Sequence, residues 1–230
     1  MRIPQLDKYS LNFPDPNSAN EDGIVVWGGD LNPSRLLRAY QSGIFPWNSP
    51  QDPILWWSPN PRLIMELDNF KLRKSLKKSM KKFAYKFDCN FREVLDKCAT
   101  TPRKDQDGTW LNDELKESFE VLQTMGIAHS VEAYLDDELV GGLYGLAIGK
   151  VFCGESMFAH VNDASKSAYA VLIKHLKAWG YDFVDCQVPT QHLKSLGAHE
   201  VHREYFLMRL NKVNHDTVNN VWKVNTDLIQ

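Results

Sequence analysis

The sequence predicts an α+β protein made of two unequal units, and three observations lead to this class. The chain of 230 residues is long enough for an ordinary domain plus a small one. Residues 128–158 alternate like strands and are interrupted by Asp136-Asp137 and Gly149-Lys150, which indicates an antiparallel meander. A helical pattern over 163–180 and a further strand over 181–188 follow the meander, so helices and strands share one sheet.

The composition is that of an ordinary globular protein. Hydrophobic residues make up 43% and charged residues 24%, with a formal net charge of −2, which argues against disorder and against general nucleic-acid binding. No apolar run approaches the roughly 18 residues of a membrane span, and the N-terminus lacks the layout of a signal peptide. We therefore expect a cytoplasmic protein without a membrane partner. The cysteines form no C-x-x-C pair and are expected to be packing residues: Cys89, Cys98, Cys153 and Cys186.

The first unit is rich in turn signals and aromatic residues, and its boundary is placed near residue 62, in the proline-rich "SPNPR". Asn32 and Pro33 predict the start of a short helix that ends at Gly43. Four of the seven tryptophans lie in this unit. They predict either a small core of large rings or a stacking platform for a base.

Residues 71–83, "KLRKSLKKSMKKF", predict a basic amphipathic helix. Apolar residues recur at helical spacing, and seven basic residues occur with no acid between them. A solvated face and a contact with a polyanion are equally consistent with this pattern, and a membrane surface is less so. The basic stripes carry Arg73, Lys74, Lys77, Lys78, Lys81 and Lys82.

The remaining elements are expected from shorter patterns. Helices are predicted over 90–99 and 112–126, where Asn112 or Asp113 begins the second, and Asn162 or Asp163 is expected to cap the helix at 163–180. A short helical turn over 191–196 and a final strand, "REYFLMRL", follow. The polar tail from Asn211 is expected to cling to the surface or fray.

Three polar residues interrupt strands that otherwise have core composition: Glu155, Asp185 and Gln187. Strand alternation places Glu155 on one face with Val151 and Met157, and places Asp185 together with Gln187. Buried without partners, the carboxylates would cost several kcal/mol each, so they must be paired within the sheet or face a pocket. A shared pocket is favoured because the polar groups occur at strand centres.

Other chemistries have weaker support. "GESMF" lacks the second glycine of a nucleophile elbow, and His199, Glu200 and His202 have only loose metal-like spacing after an expected turn. An acetyl-CoA-dependent N-acetyltransferase would need a glycine-rich turn before the helix near 164, where "HVNDASKSA" has none. An RNA-binding module would leave the three polar strand residues unexplained.

Seven ordered motifs over about residues 1–210 resemble the leucyl/phenylalanyl-tRNA-protein transferases: "GGDLNPSRLLRAYQSGIFPW", "ILWWSPNPR", "DGTWL", "GGLYG", "FCGESMF", "NDASK" and "DCQV…HLKSLGA". The resemblance implies a small N-terminal α/β domain over 1–62. A GNAT-like acyltransferase domain over 63–230 would follow, with a mixed, mostly antiparallel sheet and flanking helices. It also implies transfer of Leu, Phe or sometimes Met from aminoacyl-tRNA to the N-terminal Arg or Lys of proteins, which marks them for the N-degron pathway. Neither a metal nor a cofactor is expected, and the chain is expected to be a monomer.

The resemblance also implies roles for individual residues. Asp185 and Gln187 would be the catalytic pair, with the Gln187 carbonyl accepting a hydrogen bond from the amine and Asp185 fixing that amide. Glu155 would attract the cationic N-terminal residue and brace Gln187. The basic helix would contact tRNA phosphates. By the same resemblance, Trp47 and Trp110 would hold the 3′-terminal adenosine, and Met157, Gly154 and Leu143, where the family often has Met, would line the amino-acid pocket.

Overall fold

The computed structural model describes residues 3–7, 9–49, 52–102, 110–216, 218 and 220–229. The helices are α1 (Pro33–Gln41), α2 (Lys74–Met80), α3 (Phe91–Thr100), α4 (Asp113–Thr124), α5 (Ala164–Trp179), α6 (Gln191–Leu196), α7 (Arg203–Val213) and α8 (Thr226–Ile229). The strands are β1 (Ile24–Trp27), β2 (Phe45–Pro46), β3 (Leu55–Trp57), β4 (Arg62–Glu66), β5 (Ala84–Phe87), β6 (Ala128–Leu135), β7 (Glu138–Ile148), β8 (Val151–Ala159), β9 (Phe183–Gln187) and β10 (His199–Val201).

The strands form two sheets, which confirms the α+β class. The small sheet has the order β1-β3-β2 and the large one β10-β4-β9-β8-β7-β6-β5. Strands β6, β7 and β8 form the predicted antiparallel meander, whereas β8 and β9 run parallel and are connected through α5. A single hydrophobic cluster includes both Trp56 of the small sheet and Phe183 of the large one. The domain boundary near residue 62 stays a prediction.

Two buried clusters flank the large sheet, because alternate residues of each strand point to opposite faces. One cluster packs against α1, α3, α4 and α7. The other packs against α2, α5 and the C-terminal tail. The sheet is thus covered on both faces by helices, as expected from strands with few polar residues.

Local capping explains where several predicted helices begin and end. The Asn32 side chain accepts a 3.0 Å hydrogen bond from the Ser34 amide, and Asn112 accepts one of 2.9 Å from Leu115. Gly180 ends α5 in the left-handed conformation, at a φ of 79°. These elements confirm the predicted helix boundaries, because caps depend on neighbouring residues alone.

The basic helix is shorter than predicted. Only Lys74–Met80 are helical, and Lys81 follows as the C-cap. The buried residues are those that the spacing predicts, namely Leu76, Met80 and the following Phe83. The six basic residues singled out from the sequence all have exposed side chains.

One prediction near the C-terminus is wrong. "REYFLMRL" is part of helix α7 rather than a strand, because Phe206, Leu210 and Val213 recur at helical spacing and bury one face. Before it, the expected turn at Gly197 is followed by strand β10, which pairs with β4 and was not predicted. The tail is more firmly placed than its polarity suggests, since Trp222 packs against the second buried cluster.

A β-bulge in β8 overturns the predicted side-chain alternation. Tyr144 pairs with Ser156 and Gly145 pairs with Gly154, so Glu155 is the extra residue. Before the bulge, Val151 and Cys153 face the first cluster; after it, Met157 faces the second. Val151 and Met157 therefore lie on opposite faces of the sheet, and Glu155 cannot share one face with both as predicted. The bulge redirects the side chains in the second half of the strand.

The glycine pair at the bulge offers a matched test of this geometry. A Cβ on Gly145 would lie 2.2 Å from the Cys153 carbonyl oxygen, whereas a Cβ on Gly154 would meet nothing nearer than 3.7 Å. We expect Gly145→Ala to destabilise the fold by about 1–3 kcal/mol through overpacking. Gly154→Ala should be neutral or gain about 0.4–1 kcal/mol from the less flexible unfolded chain. Thermal unfolding measures both, and equal melting temperatures would contradict the close approach at Gly145.

Candidate active site

A cavity opens where the parallel ladder of β8 and β9 ends. The ladder runs only from Val151 opposite Phe183 to Cys153 opposite Asp185. Beyond it lies a cavity of about 620 Å³, a volume typical of small-molecule sites. Lining residues are Phe45, Pro46, Trp47, Trp110, Leu143, Tyr144, Phe152, Gly154, Glu155, Ser156, Met157, Tyr169, Val184, Cys186, Gln187, Val188, Thr190, His192 and Leu193.

Seven of the eight residues predicted for catalysis or substrate binding line this one cavity, although they come from distant parts of the chain. The exception is Asp185. No sequence pattern pointed to several other lining residues, among them Tyr169, Cys186 and His192.

The aromatic part of the cavity is built around Trp47, which is 38% exposed. Its ring lies 5.4 Å from that of Trp57, and the Trp57 indole N–H donates to the Trp47 carbonyl. Trp110 is half-buried in the same lining. Residues 103–109, which include the first three residues of the "DGTWL" motif, lie outside the described residues. The exposed ring faces available at the cavity can stack on a flat ligand.

Gln187 reaches the cavity because its backbone leaves the regular strand conformation. Its φ of 61° is in the left-handed region, which non-glycine residues rarely adopt. As a result the consecutive residues Cys186 and Gln187 both line the cavity. The Gln187 Nε2 donates a 2.5 Å hydrogen bond to Glu155 Oε1, so the bulge of β8 and the turn of β9 meet.

Asp185 is held in a buried ion pair on the other side of β9. Its Oδ1 accepts from Arg62 Nε at 2.8 Å and its Oδ2 from Arg62 Nη2 at 2.6 Å, and both side chains are 1% exposed. Asp185 Oδ1 also accepts a 2.9 Å hydrogen bond from the Gln187 amide. The prediction of a shared pocket is confirmed for Glu155 and Gln187 and is wrong for Asp185, which contacts Gln187 through its backbone.

Arg62 contacts Gly43, Phe45, Asp185 and Phe206. From the sequence it was expected only to lie near a domain boundary. Its guanidinium lies between two rings, 4.9 Å from the centre of Phe45 and 4.4 Å from that of Phe206. Its Nη1 donates to the Gly43 carbonyl at 3.3 Å. Because Phe45 lines the cavity, Arg62 supports both the aromatic wall and the Asp185 carboxylate.

The carboxyl group of Glu155 is difficult to ionise in the empty cavity. Burial raises its pKa to about 8, and the nearby Asp185 charge adds to the rise. The hydrogen bond from Gln187, the nearby Tyr40 hydroxyl and the charge of Arg62 act in the opposite direction. Burial and the charge of Glu155 also raise the pKa of Tyr40 well above its ordinary value. At neutral pH the empty site therefore holds Glu155 mostly in its neutral form.

The other polar groups do not suggest a covalent nucleophile or a metal. Burial raises the pKa of the Cys186 thiol to about 12, so it stays protonated, and a thiol is a poor nucleophile. The four cysteines all carry free thiols. Among the described residues, no group of three or more His, Cys, Asp or Glu could hold a metal ion. Within the same part of the chain, no helix is long and apolar enough to cross a bilayer.

Comparison with known proteins identifies the family. A family model described as leucyl/phenylalanyl-tRNA protein transferase matches residues 64–211, and the model of its N-terminal domain matches residues 29–60. This chain belongs to the leucyl/phenylalanyl-tRNA protein transferase family. The protein of that name from Sulfurimonas denitrificans is 68% identical over 222 residues, which cover 96% of this chain and 97% of that one.

Relatives from other bacteria extend this similarity within the transferase family. The leucyl/phenylalanyl-tRNA–protein transferase of Dechloromonas aromatica is 50% identical and covers 90% of each chain. The one from Yersinia enterocolitica is 45% identical and covers 93% of this chain and 91% of its own. Among solved structures, the C-terminal domain of a putative lysylphosphatidylglycerol synthetase from Agrobacterium fabrum shows a TM-score of 0.40 at 10% identity. It covers 74% of this chain and 56% of that one, and the score is too low to support an argument.

In this transferase the basic helix α2 is fixed to the start of α5. Ser79 Oγ donates a 2.9 Å hydrogen bond to Asp163 Oδ2. Asp163 occupies the N-cap position of α5 in the left-handed conformation, but its side chain makes no capping hydrogen bond. Asp163 is thus the N-cap residue, as predicted. Its carboxylate, however, accepts a hydrogen bond from Ser79 of α2 instead of from the amides of α5.

Glu155 should make stability depend on pH in a defined direction. Its pKa is higher in the folded state than the ordinary value near 4.3, so its contribution to stability is present below that value and is lost as pH rises through about 8. Glu155→Gln removes this dependence. We expect the melting temperature of the variant to rise relative to the wild type between about pH 5 and pH 8.5. A constant difference across this window would contradict the raised pKa.

Proposed function

We propose that this protein transfers leucine or phenylalanine from aminoacyl-tRNA to acceptor proteins that begin with Arg or Lys, and methionine to a lesser extent. The observation that carries this proposal is a cavity that combines two indole rings, an apolar recess and the hydrogen-bonded pair of Gln187 and Glu155. A two-substrate reaction needs these three surfaces side by side.

The donor would occupy the aromatic and apolar parts of the cavity. Trp47 and Trp110 can stack on the 3′-terminal adenine, since stacking needs only an accessible ring face. Leu143 and Met157, which pair across β7 and β8, would then contact the leucine or phenylalanine side chain. In this arrangement the ester carbonyl lies between the rings and the polar pair.

The acceptor amine would approach Gln187. Glu155 engages Nε2 of the amide, which orients the Gln187 carbonyl oxygen to accept a hydrogen bond from the amine. The tRNA ester is already activated, and an N-terminal amine has a reference pKa of about 7.7–8.0, so a useful fraction is neutral near pH 7. Orientation can therefore supply most of the acceleration. The amine nitrogen forms the new amide bond to the carbonyl carbon as the ester C–O bond breaks, and the ribose oxygen leaves as a hydroxyl that carries the proton lost by the amine.

Asp185 is best assigned as a positioning residue. Its charge is balanced by Arg62, and one of its oxygens holds the Gln187 amide in the left-handed turn. Replacing the carboxylate would release the Gln187 amide and leave Arg62 without its counter-charge. This supports a role through orientation rather than through relay of charge.

Glu155 would recognise the cationic acceptor. A positive charge nearby favours the ionised carboxylate and lowers its pKa. Binding of an N-terminal Arg or Lys would therefore be coupled to ionisation of Glu155, whose pKa is about 8 in the empty site. Acceptors without a positive charge would leave the carboxyl group neutral.

The observed order of strands and helices supports the two domains that the resemblance implies. A meander, a crossover through α5 and the parallel strand β9 are consistent with a GNAT-like domain over 63–230, preceded by a small domain over 1–62. The chain would act as a monomer. Modified proteins would enter the N-degron pathway.

The decisive experiment is a transfer assay with radiolabelled leucyl-tRNA. A peptide with N-terminal Arg should acquire the label, and the same peptide with N-terminal Gly should not. Asp185→Asn should lower kcat by about 10²-fold or more while aminoacyl-tRNA binding changes little, since positioning is lost but the donor surface remains. Unchanged turnover in this variant, or equal labelling of both peptides, would contradict the proposal and leave an RNA-binding protein as the alternative.

The exposed basic residues of α2 should contact the tRNA backbone. We expect the triple variant Lys77→Ala, Lys78→Ala, Lys81→Ala to raise KM for leucyl-tRNA and to flatten its dependence on salt, by about one unit of the log-log slope per lost phosphate contact. Lys150→Ala is a control, because Lys150 lies at the β7–β8 turn and pairs with Asp216. A triple variant with the wild-type salt slope would rule out this surface.

A further inference from the structure

We infer that the C-terminal tail supports the amino-acid recess from behind, through contact between Trp222 and Phe152, and that Trp222 is a positioning residue for selectivity among amino-acid side chains. The inference rests on the proposed function, because it concerns which donor the cavity prefers. The tail lies beyond residue 211, where the match to the family model ends.

Phe152 separates the cavity from the tail. It lines the recess, and its buried ring leans across β7 at Gly145, where an added Cβ would lie 2.6 Å from the ring. The ring also contacts that of Trp222, with the centres 5.9 Å apart. Trp222 does not line the cavity, and of the rings that it contacts, Phe152 is the one that does.

Trp222 is held in one orientation by surrounding rings. Its ring lies 4.9 Å from Trp179, 5.7 Å from Phe87 and 6.4 Å from Tyr181. Its closest ring contact is His129, at 3.7 Å with the planes only 9° apart. An indole fixed on several sides provides a firm backing for Phe152, because it cannot move without disturbing its neighbours.

His129 presents a fixed ring to the indole. Its Nδ1 lies 2.7 Å from Asp88 Oδ2 and its Nε2 lies 3.1 Å from the Gly126 carbonyl oxygen. These two polar partners hold the plane of the imidazole ring. Its nearly parallel stacking on the indole helps to keep Trp222 in place.

The tail has further anchors that do not depend on Trp222. The Asn225 amide donates a 2.9 Å hydrogen bond to His175 Nε2, and Lys174 Nζ donates one of 2.7 Å to the Leu228 carbonyl. Substitution of Trp222 should therefore leave the tail attached to α5. The substitution would instead remove the indole ring that packs against Phe152.

Loss of the indole gives the Phe152 ring space to move away from the cavity, which enlarges the recess. A leucine side chain then loses more of its packing than the larger phenylalanine side chain, which can follow the wall. We expect Trp222→Ala to raise the ratio of kcat/KM for phenylalanyl-tRNA over leucyl-tRNA by about three- to tenfold, a change typical of small alterations in an apolar pocket.

The test measures both donors with the same Arg-initiated peptide and the full-length chain. Partial unfolding lowers both rates by one factor, so the ratio reports pocket shape and not the amount of folded protein. Val221→Ala is the matched control, since its side chain is 68% exposed on the same segment. Trp222→Phe, which keeps an aromatic ring, should give a smaller shift, and it replaces the alanine variant if that variant is insoluble.

An unchanged ratio in active Trp222 variants would overturn the inference, as would the same shift in Val221→Ala. Either result would leave the proposed function intact, because transfer itself would have been observed. A wild-type protein that transfers neither amino acid would instead reject the proposed function, and this inference with it.

Discussion

The buried ion pair of Arg62 and Asp185 is the constraint on which the rest of the site depends. Removing two charges from water costs several kcal/mol per ion, and only excellent geometry offsets that cost. Here both carboxylate oxygens accept from the guanidinium, and the remaining partners are the Gly43 carbonyl, the Gln187 amide and two ring faces. The pair therefore fixes β4, β9 and the cavity wall relative to one another.

Two backbone irregularities follow from this arrangement and create the polar pair in the cavity. A left-handed non-glycine residue such as Gln187 costs of order 1–3 kcal/mol, which its amide hydrogen bond to Asp185 helps to offset. The bulge at Glu155 is the counterpart on β8. In regular strands the alternation would place Gln187 on the same side as Asp185. The two departures from alternation bring Gln187 and Glu155 into contact instead.

Features that depend on neighbouring residues were predictable, and features that depend on distant ones were not. Asn112 and Gly180 mark helix ends by local chemistry, and the meander follows from turn signals. The bulge at Glu155 depends on the register of β7, and the partner of Asp185 lies 123 residues away. Helix α7 was missed because its apolar repeat becomes clear only when the window extends to Val213. The indole rings at the cavity were found through motifs, since periodicity does not distinguish a core ring from an exposed one.

Under the proposed function, the electrostatics of the site fit a reaction that depends on orientation and not on a strong base. Asp185 is neutralised by Arg62, and the Cys186 thiol stays protonated, so neither provides a strong base or nucleophile. Glu155 has a pKa of about 8 in the empty site, so it is mostly neutral there near pH 7. A bound cationic acceptor would lower that pKa and favour the carboxylate, which also engages the Gln187 amide. Burial of Glu155 thus suits this group to recognising the acceptor and holding Gln187, while the neutral fraction of the N-terminal amine supplies the nucleophile.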